Sequence, residues 1–92
     1  MTLSVQISRQ AQKFLGKLPP KPKRQIAEKI QLLKTNPFPQ DSKALKGFAP
    51  MYRVDSGEYR IVYQLENDDL ILIALIGKRN DDHVYRLLKR QY

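Results

Sequence analysis

Leu3, Val5 and Ile7 alternate with polar residues, the period of a half-buried strand, and Ser8 then stands where a helix N-cap would. Ala11, Phe14, Leu15 and Leu18 follow at helical spacing. After the short stretch Leu18-Pro19-Pro20-Lys21-Pro22-Lys23, which reads as a turn, Ile26, Ala27, Ile30 and Leu33 mark the buried stripe of a second helix. Asn36-Pro37 stops it, because proline disfavours helical backbone at the residue before it. The spacing therefore predicts a strand followed by a tight helical hairpin. Residues 36–50 hold Pro37, Pro39, Gly47 and Pro50 and read as a long connection. From Met51 the period changes to two, and residues 51–54, 59–65 and 70–76 read as three strands of an antiparallel meander. Asp55-Ser56-Gly57-Glu58 and Glu66-Asn67-Asp68-Asp69 are the expected turns. The last strand, Leu-Ile-Leu-Ile-Ala-Leu-Ile, is apolar on both faces, which calls for cover on both sides. Asp81-Asp82 can cap a final helix running through Leu88. The expected class is α+β, with an N-terminal strand and helical hairpin packed on a small antiparallel sheet in the order β-α-α-β-β-β-α.

At 92 residues the chain has the size of one domain with one thin core, so residues 1–92 are read as a single unit and any active site must be shallow. With no cysteine and a single histidine, His83, thiol catalysis, disulfides and zinc sites built on Cys or His clusters are not expected, and no cofactor or metal is. No apolar run approaches the ~18 residues of a membrane span, and Met1-Thr2-Leu3-Ser4 is unlike the start of a secretion signal. The expected location is cytoplasmic, with no membrane partner.

Charge sharpens this. The formal net charge is +8, and it is unevenly placed: residues 1–47 carry ten Lys or Arg against two acids, whereas residues 48–92 carry seven of each. Such a field raises encounter rates with phosphate-rich partners without supplying chemistry or sequence information. The basic run that includes Lys21, Lys23 and Arg24 suits contact with a nucleic-acid backbone. If each meander turn is a four-residue loop, Arg53 lies directly across from Arg60. Like charges so opposed are unfavourable unless fully solvated or bridged by an anion, which makes the pair a candidate phosphate site. Counting on, Arg60 falls opposite Leu75, and the same face passes Gly77 to reach Arg79. Arginine offers a planar fork of donors that fits phosphate and stays charged at any relevant pH. Lys78 and Tyr85 lie close by in sequence. Tyr52, Tyr59 and Tyr63 read as packing residues, since alternation sets Tyr59, Ile61 and Tyr63 on one face, and His83 reads as a surface residue near a helix start.

Leu45-Lys46-Gly47, Tyr52-Arg53-Val54, Gly57-Glu58-Tyr59-Arg60-Ile61-Val62-Tyr63, Gly77-Lys78-Arg79 and Val84-Tyr85, in this order across a strand, a hairpin and a meander, resemble the RelE/ParE superfamily of type II toxins, most closely the RelE branch. The resemblance implies a RelE-like fold and a toxin that enters the ribosomal A site and cleaves mRNA without a metal, using the 2′-hydroxyl as nucleophile. It implies that Arg60 stabilises the transition state, that Arg79 donates a proton or supplies charge, and that Tyr85 stacks on the mRNA base or assists proton transfer. Arg53 is the implied RNA contact on the meander, Lys46 and Lys78 are further RNA-binding candidates, and Lys21, Lys23 and Arg24 are RNA-binding candidates from charge alone. Asp55 departs from the pattern, which has a lysine there. The implied partners are the ribosome, mRNA and a cognate, RelB-like antitoxin that wraps the toxin, with operator DNA touched only through that antitoxin. Two other readings stay open: a ParE-like inhibitor of DNA gyrase on the same fold, and a catalytically weak basic RNA-binding protein.

Overall fold

The computed structural model describes residues 2–79 and 83–91, without the side chains of residues 83 and 91. Strand β1 (Ser4–Ile7) leads into helix α1 (Arg9–Gly16), with Ser8 at its N-cap accepting from the Ala11 N–H at 3.2 Å. Helix α2 (Pro20–Thr35) starts earlier than the pattern suggests: Pro20 and Pro22 lie inside its first turn, where their missing N–H groups would have no helical partner anyway. The helix ends at Asn36, in extended backbone ahead of Pro37 as expected.

The 36–50 connection contains an element the sequence does not announce, the two-residue edge strand β2 (Lys43–Ala44). Strands β3 (Tyr52–Ser56), β4 (Tyr59–Glu66) and β5 (Leu70–Lys78) follow as an antiparallel meander, and α3 (His83–Gln91) closes the order. The Asp81-Asp82 cap lies outside the described residues. The five strands are ordered β1-β5-β4-β3-β2; β2 to β5 pair antiparallel, while β1 joins β5 parallel. The apolar strand β5 is accordingly interior and covered on both faces. Its helix-side residues Ile71, Ile73 and Ile76 pack with Ile26, Ile30 and Leu33 of α2 and Ala11 of α1. On the other face, Ala74 and Leu75 pack with Val62 and with Val84 and Leu88 of α3. Tyr63 is fully buried on the helix side, and Tyr52 and Tyr59 pack partly buried beside it, as alternation requires.

That two neighbours, Ala74 and Leu75, share a face marks a bulge where Val62 pairs with Leu75 but Tyr63 with Ile73. Both the Ile73 and Ala74 carbonyls then turn toward β1, and Ser8 takes them: its N–H donates to the first at 2.9 Å and its hydroxyl to the second at 2.6 Å. Beyond the end of β1, the Gln10 amide continues the ladder, donating to the Ile76 carbonyl and accepting from the Ile76 N–H, each at 3.1 Å. The start of α1 thus acts as an extension of β1 and holds the β5 segment that leads into Gly77 and Arg79.

Candidate active site

The register corrects the expected geometry. Ser56 pairs with Tyr59, Asp55 with Arg60, and Arg53 with Val62, so Arg53 and Arg60 are not directly opposed. The turn is a two-residue loop with Gly57 at its first position, where φ is +60°, a conformation open to glycine and strained for other residues. A two-residue rather than four-residue loop slides the pairing and brings a carboxylate, not a second guanidinium, across from Arg60. The second hairpin is also tighter than expected. Asn67 and Asp68 both take positive φ, Glu66 pairs with Leu70, and with the bulge this sets Arg60 opposite Gly77 instead of Leu75.

Asp55 meets Arg60 side-on, Arg60 Nε donating to Asp55 Oδ1 at 2.9 Å and Nη2 reaching Oδ2 at 3.5 Å. The two side chains are 14% and 33% exposed for Arg60 and Asp55 respectively, so the pair is half-sunk in the sheet and gains more than a fully solvated one. The Asp55 hydrogen bond holds the Arg60 guanidinium in its charged form more firmly than usual; burial opposes this, and the phenolic oxygen of Tyr85 adds to the stabilisation. Tyr85, half-buried in the first turns of α3, is placed there by its neighbours Val84 and Leu88, whose side chains anchor the helix on Val62, Ala74 and Leu75. Gly77 is buried opposite Arg60 and brings no side chain of its own to the space above the pair.

Pairing parity places the other candidates. Arg53 shares a strand face with Asp55 and Arg60, one pair further along, with Lys43 of β2 across from it. The Arg79 N–H donates to the Glu58 carbonyl at 3.0 Å, which carries the β4–β5 pairing one step past Tyr59–Lys78 and leaves Arg79, exposed, on the Arg60 face. Lys78, paired with Tyr59, starts from the opposite, helix-side face. Lys46 lies in the loop beside Met51, whose carbonyl accepts from Leu45 N–H; Met51 is about 13 Å along β3 from Asp55 at the usual rise per residue. Lys21, Lys23 and Arg24 are exposed in the first turns of α2, in the layer behind the sheet. Gln25 reaches the Gly57 turn, so this basic run stands at the same end of the molecule as Arg60 but on its other side. The structure therefore gathers Arg60, Tyr85, Arg53 and Arg79 on one face and leaves Lys46, Lys78 and the α2 cations outside that group. Two residues joined to the site, Asp55 and Lys43, were not among the sequence candidates. Gly57 was the available signal for the first, since glycine there favours the two-residue turn that sets Asp55 across from Arg60.

A family model described as the ParE toxin of type II toxin-antitoxin systems, parDE, matches residues 5–83. The chain is 41% identical over 83 residues to RelE1 of Methanocaldococcus jannaschii, a match covering 86% of this chain and 92% of the relative. Among solved structures, the archaeal RelE-RelB complex from Pyrococcus horikoshii OT3 matches with a TM-score of 0.76 and 31% identity, over 88% of this chain and 99% of that one. A mutant of the E. coli toxin RelE in the free state shares the fold, with a TM-score of 0.79 and 24% identity over 100% of both chains.

Proposed function

We propose that this chain, which belongs to the RelE/ParE superfamily and is a RelE-like toxin of a type II toxin-antitoxin system, is a ribosome-dependent endoribonuclease that cuts mRNA in the ribosomal A site. The observation that carries the reading is the half-sunk Arg60 guanidinium with Tyr85 beside it and Arg53 and Arg79 on the same face. In the proposed reaction the 2′-oxygen attacks the adjacent phosphorus and loses its proton. The bond to the 5′-oxygen breaks, that oxygen gains a proton, and a cyclic phosphate and a free 5′-hydroxyl result. Negative charge builds on the phosphorane between these events, and fixed cations aimed at it lower the barrier without having to reorganise. Arg60 supplies that charge, Arg53 holds the phosphate, and Arg79 faces the leaving oxygen. Arg79 acts through charge, because a guanidinium holds its proton too tightly to give it up readily. Tyr85 stacks on the exposed base or relays a proton. The arginines provide the positive charge that a metal ion would otherwise bring.

The shallow, open face fits a site completed by a large partner, and the ribosome presents the mRNA to it. Lys21, Lys23, Arg24, Lys46 and Lys78 lie away from the reacting phosphate and serve affinity rather than chemistry. Relatives solved as RelE-RelB complexes support a RelB-like antitoxin that wraps this chain, with operator DNA reached through that antitoxin. Action in the cytoplasm follows from this reading; among the described residues no helix is long and apolar enough to cross a membrane.

Primer extension in a cell-free translation reaction tests the proposal, comparing wild type with Arg60→Ala and Arg79→Ala, with and without ribosomes. Codon-registered cuts that need ribosomes and vanish in both variants are expected. Intact mRNA and unimpaired translation at every dose would refute it and turn attention to gyrase inhibition, which a supercoiling assay reads directly.

A further inference from the structure

Arginine is a flexible side chain, and a guanidinium that must meet a developing charge is most effective when it is already in place. Arg60 carries five N–H donors, and Asp55 engages the inner edge: Nε at 2.9 Å and Nη2 at 3.5 Å. The outer end, formed by Nη1 and the second Nη2 hydrogen, lies beyond that carboxylate, on a guanidinium that the Tyr85 phenolic oxygen also meets. The two Cα positions are set by strand pairing across a two-residue turn, so the grip comes from the backbone register and not from two mobile surface side chains finding each other. It carries a cost, since a carboxylate on a face that meets RNA repels phosphate.

We infer that Asp55 is a positioning residue, which holds the Arg60 guanidinium by its Nε edge so that the outer donors are aimed at the scissile phosphate of the RNA. The inference rests on the proposed nuclease reading and adds to it a trade: Asp55 raises the rate of the chemical step and weakens attraction to the substrate. A carboxylate acting only as part of the scaffold would leave no such split.

The test is single-turnover cleavage of mRNA on programmed ribosomes at rising toxin concentration, giving a maximal rate and a half-saturating concentration for wild type, Asp55→Asn, Asp55→Ala and Asp55→Glu. Asp55→Asn and Asp55→Ala should lower the maximal rate about 10- to 100-fold, the scale of a misplaced catalytic group. Their half-saturating concentration should stay the same or fall, because a negative charge has left the RNA-facing surface. Asp55→Glu, which keeps the charge on a longer arm, should recover part of the rate. A maximal rate within twofold of wild type in Asp55→Ala, or a faster one, would overturn the inference. Proton NMR of the Arg60 Nε–H keeps the question separate from activity. A distinct, slowly exchanging signal that is lost in Asp55→Ala, which removes the acceptor, is expected, and an averaged, fast-exchanging one in wild type would overturn the positioning role. Wild type that never cuts refutes the nuclease reading, and the NMR result still decides whether Asp55 fixes Arg60.

Discussion

Gln10→Ala removes one side chain and strands two buried backbone groups at once. The Gln10 amide donates to the Ile76 carbonyl and accepts from the Ile76 N–H, both at 3.1 Å. Ile76 is fully buried, and β1 has already ended where Ile7 pairs with Ile73, so among the described residues no strand stands on that edge to replace the amide. An unsatisfied buried donor or acceptor costs roughly 1–3 kcal/mol. Some access for water beside partly buried Gln10 offsets this, and a total loss of about 2–4 kcal/mol is expected for the pair. For a domain of this size a loss of 1 kcal/mol lowers Tm by about 4–8 °C, so Gln10→Ala should melt about 8–32 °C below wild type. Urea unfolding gives the free energy directly, and hydrogen exchange gives the location, with the amide protons of Ile76 and Gly77 exchanging faster in the variant. Gln10→Glu sharpens the test. At neutral pH it can still accept from the Ile76 N–H but sets a charged oxygen against the Ile76 carbonyl, so it should be at least as damaging as alanine. Below about pH 4 the protonated carboxyl can donate, and the gap to wild type should narrow. A Gln10→Ala protein within about 0.5 kcal/mol of wild type, the scatter of ordinary surface substitutions, would refute the strand-extension argument.

Tyr63→Phe should cost about 1 kcal/mol at neutral pH, because the buried hydroxyl donates to the Pro37 carbonyl at 2.7 Å and pins the long connection to β4. Burial raises the Tyr63 phenol above its ordinary value, so its stabilisation is complete below about pH 10 and is lost as pH rises through the raised value; urea midpoints at pH 9 and 11 should therefore show the wild type losing its lead over Tyr63→Phe. Replacing Lys21, Lys23 and Arg24 together with alanine should weaken ribosome binding and flatten its dependence on salt by up to about three counterions while leaving the maximal cleavage rate unchanged; co-sedimentation across a salt series measures both.

Most of the fold is legible because two periods dominate the chain. The alternation of Tyr59, Ile61 and Tyr63 and the two-sided apolarity of Leu70 to Ile76 can each be satisfied in one way, an interior sheet with cover on both faces. What escaped was set by features of one or two residues. β2 is too short for any period to register, and its pairing with β3 depends on where the 36–50 loop happens to pass. The bulge at Ala74 leaves no mark in an all-apolar run, since every residue there is equally content on either face. For the site, Arg53, Arg60, Arg79 and Tyr85 were legible as candidates, while Asp55, Lys43 and the mutual geometry were not. A two-residue change in assumed loop length turned Arg53 opposite Arg60 into Asp55 opposite Arg60, which reverses the sign of the cross-strand interaction from repulsion to attraction.

That reversal bears on how a small basic protein could carry the proposed reaction. A face carrying only arginines would bind phosphate wherever it met it, with each guanidinium free to follow the nearest anion. Here the field and the fixed charge are divided between the two sides of the sheet. The α2 cations Lys21, Lys23 and Arg24 stand exposed in the helical layer and supply attraction that needs no geometry. On the other side Arg60 is only 14% exposed, gripped by a carboxylate on the neighbouring strand and flanked by a tyrosine from a helix anchored in its own apolar cluster. The strand that faces it across Gly77 is in turn locked at its far edge by Ser8 and Gln10. Order at the site is thus built from backbone register and buried hydrogen bonds, which a thin core can supply, while in the proposed reaction the enclosure would come from the ribosome. On this argument, loosening the β5 edge at Gln10 should reach Arg60 before it unfolds the domain: at temperatures where Gln10→Ala is still folded, its maximal cleavage rate should fall while its ribosome affinity, carried by the opposite layer, holds.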